Sequence, residues 1–311
     1  MKPRDIETGR TQGKTVIMPM ISVLVANRNH AEYIGECLRS ILDQSIENLE
    51  AVVYDDASTD GSAALVEDIR RSEPQRVRLL TGKRRRGPGY ARNQAARAAR
   101  GQFLTTLDAD DYFVGKDKLK REMELLDGIA ATEGIQAAVF SDVLETSPDG
   151  NERRWSDFLT VHEGWIQTRL ITRDGFIPRD FLFPRTAFFA CGGYDSRLKT
   201  HEDWDLKIRL AAILPFYFTG VPGVVYRRLD NGLSRTCRHR RICNLWRVYG
   251  RHRHCLEPGR RSSADREFAK KISGLEAPDP GLPALLRRWV CGRLGIVMPR
   301  RRHFDGGQSG I

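Results

Sequence analysis

Short apolar runs, each followed by a stretch in which apolar residues recur every three or four positions, dominate the first half of the chain. Ile21, Val23, Leu24 and Val25 form the first run, within 20–26, and Ile34, Leu38, Ile41 and Leu42 then follow at helical spacing. The unit repeats as strand 49–54 with helix 62–71, strand 77–80 with helix 90–100, and strand 103–107 with helix 116–129. In the second of these helices, Leu65, Val66 and Ile69 make the expected buried stripe. Near-continuous apolar strands that alternate with helices imply an α/β fold with a mostly parallel central sheet flanked by helices. Farther on, Trp204, Ile208, Ala211 and Ala212 mark the buried face of a helix over 202–213. Leu245, Trp246, Val248 and Tyr249, and then 285–290, indicate helices in a C-terminal part, and 1–19 reads as a flexible leader.

The polar residues at the strand ends carry the chemistry. Asp108-Ala109-Asp110-Asp111 closes the run 103–107 and aims several carboxylates from one strand terminus. Oxygen-only ligands select Mg²⁺ or Mn²⁺, ions that stay partly hydrated and bind through substrate phosphates. A nucleoside-diphosphate substrate is therefore the first expectation, against the plainer reading of a solvated acidic turn. A second acidic turn, Asp55-Asp56-Ala57-Ser58-Thr59-Asp60-Gly61-Ser62, follows strand 49–54. Ligands of open α/β sheets bind beyond the carboxyl ends of the strands, so both turns can face one crevice. Ser58, Thr59 or Asp60 can also cap the helix that follows. Lys83, Arg84, Arg85, Arg86 and Arg92 lie on the approach to that crevice, and Gly87-Pro88-Gly89 lets the loop bend close to a ligand.

Composition narrows the class. The 311 residues are 40% hydrophobic, enough for a large α/β domain with an appendage. No stretch approaches the ~18 apolar residues of a membrane span. Residues 1–14 are polar without an apolar core, so no secretory signal is expected and the default setting is cytoplasmic. The six cysteines include no Cys-x-x-Cys pair, which argues against a disulfide framework. Cys237, His239, Cys243, His252, His254 and Cys255 crowd one segment at spacings that match no standard zinc pattern. The formal charge is +11, concentrated where 235–261 sets many arginines against the single acid Glu257. Arg287, Arg288 and Arg293 around apolar residues, then Arg300 to Arg302, continue it. Peripheral contact with the inner face of an anionic membrane is one use of such a basic extension. Nucleic acid ranks lower, and a solvated tail is the plain alternative.

Together these segments resemble the family 2 glycosyltransferases of GT-A fold. The resemblance rests on 21–29, the turn 55–62, Ala91-Arg92-Asn93, Ala99-Arg100-Gly101 and 107–111, then on Gly192-Gly193-Tyr194-Asp195, His201-Glu202-Asp203-Trp204-Asp205-Leu206 and Tyr226-Arg227-Arg228. It covers about 21–235, and it implies a Rossmann-like GT-A domain over 20–234. Residues 20–113 would bind the nucleotide sugar and 114–234 the acceptor. A basic, mainly helical extension follows over 235–311. Ala26-Asn27-Arg28-Asn29 stands where the family commonly has Pro-Thr-Tyr-Asn.

By this resemblance Asp56 accepts a hydrogen bond from the nucleobase, Asp110 binds Mn²⁺ or Mg²⁺, and Asp108 lies near ribose or metal. Ala26, Arg28, Lys83 and Arg92 complete the expected nucleotide-sugar site. A UDP-sugar is the first choice of donor, and a saccharide or lipid-linked sugar is the expected acceptor. Asp203, with Glu202 as the alternative, is the expected general base at the start of a helix, where the backbone dipole keeps a carboxylate ionised. A single in-line displacement would then invert the anomeric centre. The rivals are a sugar nucleotidyltransferase, for which 26–30 lacks the glycine-rich loop, and a non-catalytic basic protein that binds nucleic acid or membrane.

Overall fold

The computed structural model describes residues 20–147, 150–229 and 238–274. Strands β1 (Ile21–Asn27), β2 (Leu49–Asp55), β3 (Val77–Thr81) and β4 (Phe103–Asp108) lie parallel in the order β3-β2-β1-β4. Helices α1 (Ile34–Leu42), α2 (Ser62–Ser72) and α3 (Pro88–Ala98) connect them. All of β2 is buried, as a strand covered on both faces must be. Each strand ends one residue later than its apolar run, so Asn27, Asp55 and Asp108 are in the ladder and not beyond it. Leu65 departs from the expected stripe. Val66 is the apolar residue α2 buries, and Leu65 is 43% exposed.

The Ala-Arg-Gly segment after α3 has a steric reason. A Cβ on Gly101 would sit 2.6 Å from the Ser22 amide nitrogen, so only glycine passes this close to β1. Ser22 and the Arg100 amide both donate to the buried Glu50 carboxylate, at 2.7 and 2.6 Å.

A second sheet carries the other half, with β5 (Tyr112–Phe113), β6 (Ala138–Thr146), β7 (Glu152–Arg154) and, after β8 (Phe183–Pro184), β9 (Phe216–Arg227). Its order is β5-β9-β6-β7, with β6 and β9 parallel. β8 pairs with β4, and the adjacent Leu182 bridges to Val139 of β6, so the two sheets adjoin. Helix α4 (Lys118–Glu133) covers the second sheet. Short α5 (Gln167–Ile171) and α6 (Arg185–Ala190) precede α7 (Glu202–Leu210).

The basic segment is helical where described, as α8 (Arg238–His252) and α9 (Pro258–Gly274). It shares a core with α7. The Phe268 ring stacks on Tyr249 at 4.1 Å and on Trp204 at 5.9 Å, with Trp246 edge-on at 5.1 Å. Leu245, Trp246, Val248 and Tyr249 are therefore buried, and Trp204 is a packing residue. Asp205, fully buried, accepts hydrogen bonds from Arg209 and Arg251 and pairs with His252 at 2.9 Å. His254 turns to the Arg251 carbonyl, and the described residues of the Cys/His segment gather no metal cluster. The leader 1–19, Cys237, the expected helix at 285–290 and Arg300 to Arg302 lie outside the described residues.

A buried charge cluster fixes α4. Lys118 Nζ is 2.9 Å from Glu122 Oε2 and 3.5 Å from Asp180 Oδ2, and Ser141 donates to Glu122 at 2.7 Å. Burial pushes the Glu122 carboxyl up to about 7 against the pull of Lys118. A native pKa above the unfolded value gives stability that is fully present below the unfolded pKa and is lost as pH rises through the native one. Unfolding free energy should therefore fall by about 1–3 kcal/mol between roughly pH 4.5 and 7.5 through this group. Urea titrations across that range should show a flatter profile for Glu122→Gln; identical slopes in the two proteins would refute the assignment.

Candidate active site

The parallel ladder brings three strand ends side by side. Asn27 is in register with Asp55, and Ala26 with both Tyr54 and Asp108, so the acidic turns flank the end of β1. They border one cavity of about 380 Å³. Asn27 and Arg28 tie the first turn in place. Asn27 Nδ2 donates to Asp55 at 2.7 Å and to Ser62 at 2.9 Å, while Arg28 Nη1 donates to the carbonyls of Asp56 and Ala57 at 2.7 and 2.8 Å. None of the expected residues is the N-cap of α2, which is Gly61 in the left-handed conformation; Asp60 stands one residue earlier and accepts the Ser62 amide at 3.0 Å.

Asp56 holds the basic loop. Its two carboxylate oxygens accept the amides of Arg86 and Gly87, each at 2.7 Å. Gly87 has φ +99°, a conformation that favours glycine, which explains its place in the Gly-Pro-Gly turn. Arg86 lies over the Tyr90 ring at 4.3 Å, and Arg85 lines the cavity. Lys83 is exposed and stands outside the cavity lining.

At the other turn, Asp108, Asp110 and Asp111 each offer an oxygen within 4.8 Å of the others. Asp108 is doubly paired, with Arg92 Nη2 at 2.6 Å from Oδ1 and Arg179 Nη1 at 2.6 Å from Oδ2. Burial alone would raise its pKa, but the two guanidinium groups outweigh it and hold the carboxyl below its ordinary value. Asp111 accepts the Arg227 amide at 2.9 Å and faces Arg179 at 3.4 Å. Asp110 has no cation within ion-pair distance among the described residues, and burial beside Asp108 raises its pKa. Burial and Asp110 push Asp111 well above the ordinary range. Three crowded carboxyl groups, with oxygen as the only donor type, suit a hard divalent cation, which would offset their mutual repulsion.

Arg92 connects this turn to α7. Its Nη1 donates to Glu202 Oε1 at 2.8 Å, and both side chains are buried. Asp203, the next residue, is about a quarter exposed and pairs with Lys207 Nζ at 2.9 Å. Burial would raise Asp203, but Lys207 and then Arg179 outweigh it and hold the carboxyl far below the ordinary range, so it is ionised at neutral pH. Lys207 is itself fixed by donating to the Ile177 carbonyl at 2.8 Å.

Ala26, Arg28, Asp56, Arg92, Asp108 and Asp110 thus line one cavity, Glu202 backs Arg92, and Asp203 lies within electrostatic reach of Asp108. Sequence reasoning missed Arg179 and Lys207. Arg179 lies in an irregular segment with no periodicity, and its only signal is a charged residue beside Asp180. Lys207, four residues after Asp203 on a helix, was legible as an i,i+4 pair.

Residues 22–193 match the family model described as Glycosyl transferase family 2. An uncharacterized glycosyltransferase of Haemophilus influenzae is 32% identical over 168 residues, which is 50% of this chain and 64% of that protein. The chain thus spans just under two thirds of that relative. Among solved structures, S. aureus TarS 1-349 in complex with UDP-GlcNAc superposes with a TM-score of 0.63 at 19% identity, over 80% of this chain and 71% of that one. The mannosyltransferase PcManGT from Pyrobaculum calidifontis, in complex with GDP-Man and Mn²⁺, does so with a TM-score of 0.57 at 21% identity, over 95% and 84%. At these identities the likeness to the solved structures is one of fold.

Proposed function

Because the chain belongs to glycosyl transferase family 2, we propose that it moves a sugar from a nucleoside-diphosphate donor to a hydroxyl acceptor with inversion, metal-assisted and with Asp203 as general base. One observation carries the reading: the carboxylates of Asp108, Asp110 and Asp111 converge within 4.8 Å in the same cavity that Asp56 and Arg92 line. The bound UDP-GlcNAc of one structural relative, and the GDP-Man and Mn²⁺ of another, support a nucleotide-sugar donor and a divalent ion.

Asp110 and Asp108 would hold the ion, which when bound supplies Lewis-acid stabilisation of the departing diphosphate. The protein's own part is positioning and proton transfer. Asp56 keeps the 83–87 loop against the cavity, where Arg85 adds positive charge at its wall. Asp203 takes the acceptor proton as the acceptor oxygen bonds to the anomeric carbon. The bond from that carbon to the diphosphate oxygen breaks, and its electron pair leaves with the diphosphate. Attack opposite the leaving group inverts the centre, and no covalent enzyme intermediate forms. A UDP-sugar donor and a saccharide or lipid-linked acceptor remain the proposed substrates.

No helix among the described residues is long and apolar enough to cross a membrane. Since the apolar face of α8 is covered, we propose that any peripheral membrane contact uses exposed arginines such as Arg240 and Arg247.

Thermal melting tests the reading directly. UDP with Mn²⁺ should raise the melting temperature, and either alone should do so far less. At a ligand concentration a hundredfold above Kd the stabilisation is about 2.7 kcal/mol. A shift with DNA that disappears on adding salt, and none with UDP, GDP or CTP, would favour a basic binding protein instead.

A further inference from the structure

Arg179 already occupies carboxylate oxygens that a metal ion would use. Its Nη1 is 2.6 Å from Asp108 Oδ2 and its Nη2 3.4 Å from Asp111 Oδ2, two of the three converging carboxylates. The backbone beneath it is pinned on both sides. The Arg179 amide donates to the Tyr226 hydroxyl at 2.7 Å, and the Arg179 carbonyl accepts from Thr106 at 2.5 Å. The Tyr226 hydroxyl donates in turn to Asp180 at 2.9 Å, inside the buried cluster with Lys118. The guanidinium rests over the Tyr226 ring at 4.8 Å, yet the side chain is 36% exposed and lines the cavity. A fixed main chain under an accessible head group is the arrangement a side chain needs to exchange partners without disturbing the fold.

We propose that Arg179 is the resident cation of the donor site, competing with a divalent ion for Asp108 and Asp111 and passing to the diphosphate when displaced. This rests on the sugar-transfer reading above and adds a coupling to it. Two cations on the same carboxylates repel, so each weakens the other's hold. A released guanidinium is a forked donor suited to phosphate oxygens. By linkage, a diphosphate that gives Arg179 a new partner must tighten the ion as much as the ion tightens the diphosphate.

The test is Mn²⁺ binding to the full chain, read from the electron paramagnetic resonance signal of free Mn²⁺, with and without saturating UDP. The Mn²⁺ that UDP holds in protein-free solution is subtracted. Arg179→Gln should bind Mn²⁺ alone about tenfold more tightly than the unaltered chain. The further tightening that UDP brings should shrink by about tenfold. Arg179→Lys, which keeps a charge but loses the fork, should fall between the two and decides the matter if Arg179→Gln does not fold. Unchanged or weaker Mn²⁺ binding in the folded variants overturns this proposal alone. Failure of the unaltered chain to bind Mn²⁺ at all overturns the metal reading and this one with it.

Discussion

Asp110→Ala is expected to abolish sugar transfer and remove the Mn²⁺-dependent part of UDP binding, whereas Asp203→Asn abolishes transfer and leaves UDP affinity unchanged. The two residues stand in different surroundings for that purpose. Among the described residues Asp110 is the carboxylate of the acidic turn without a paired cation, so the ion has least competition there. Its loss removes charge stabilisation of the leaving group, an effect of about 10²–10³-fold on rate. Asp203 is kept ionised by Lys207 and Arg179, free of the proton a base must accept, at a cost in base strength. Its amide isostere keeps the shape of the site but cannot take the acceptor proton, which costs on the order of 10²–10⁴ in rate. Turnover measured beside UDP titration separates the roles, and equal loss of UDP affinity in both variants would sink the division of labour.

Arg92→Met should be among the most damaging single changes to the fold, at about 3–5 kcal/mol, because it strands the buried Glu202 and leaves Asp108 with Arg179 alone. One prong of the guanidinium meets Asp108 on the first sheet and the other meets Glu202 at the start of α7. Burial would weaken its hold on a proton, but Asp108, Tyr194 and Glu202 outweigh that and keep it charged. Without it, Glu202 must take up a proton or open to water, while Asp108 keeps its pair with Arg179. Adding Glu202→Gln should recover part of the loss, since one stranded charge is then gone. Urea denaturation reads both, and a cost under about 1 kcal/mol for the single variant would show that the bridge is not a structural tie.

The four-strand frame and both acidic turns were readable because each depends on neighbours in sequence. Apolar runs such as 49–54 need only a period and a breaker to be recognised, and an acid at a strand's carboxyl end is placed by that strand alone. The features that escaped join distant segments. Arg179 gains meaning only when 176–182 is laid beside β4, and Lys118 only when α4 meets Asp180. Asp56 was read toward the nucleobase, and what its neighbourhood adds is the loop amides 30 residues away. Lys83 differs from its neighbours: nearness in sequence to the crevice puts it on the ligand's approach, and in the structure it is exposed and outside the cavity lining.

The Trp204, Phe268 and Tyr249 rings form one pile that begins on the helix of the proposed base and ends on the basic segment. A shortened protein that stopped at the last strand would leave a slab of bare ring surface directly behind Asp203. Recombinant pieces intended to keep the chemistry must therefore run through residue 274, even though the family match ends at 193.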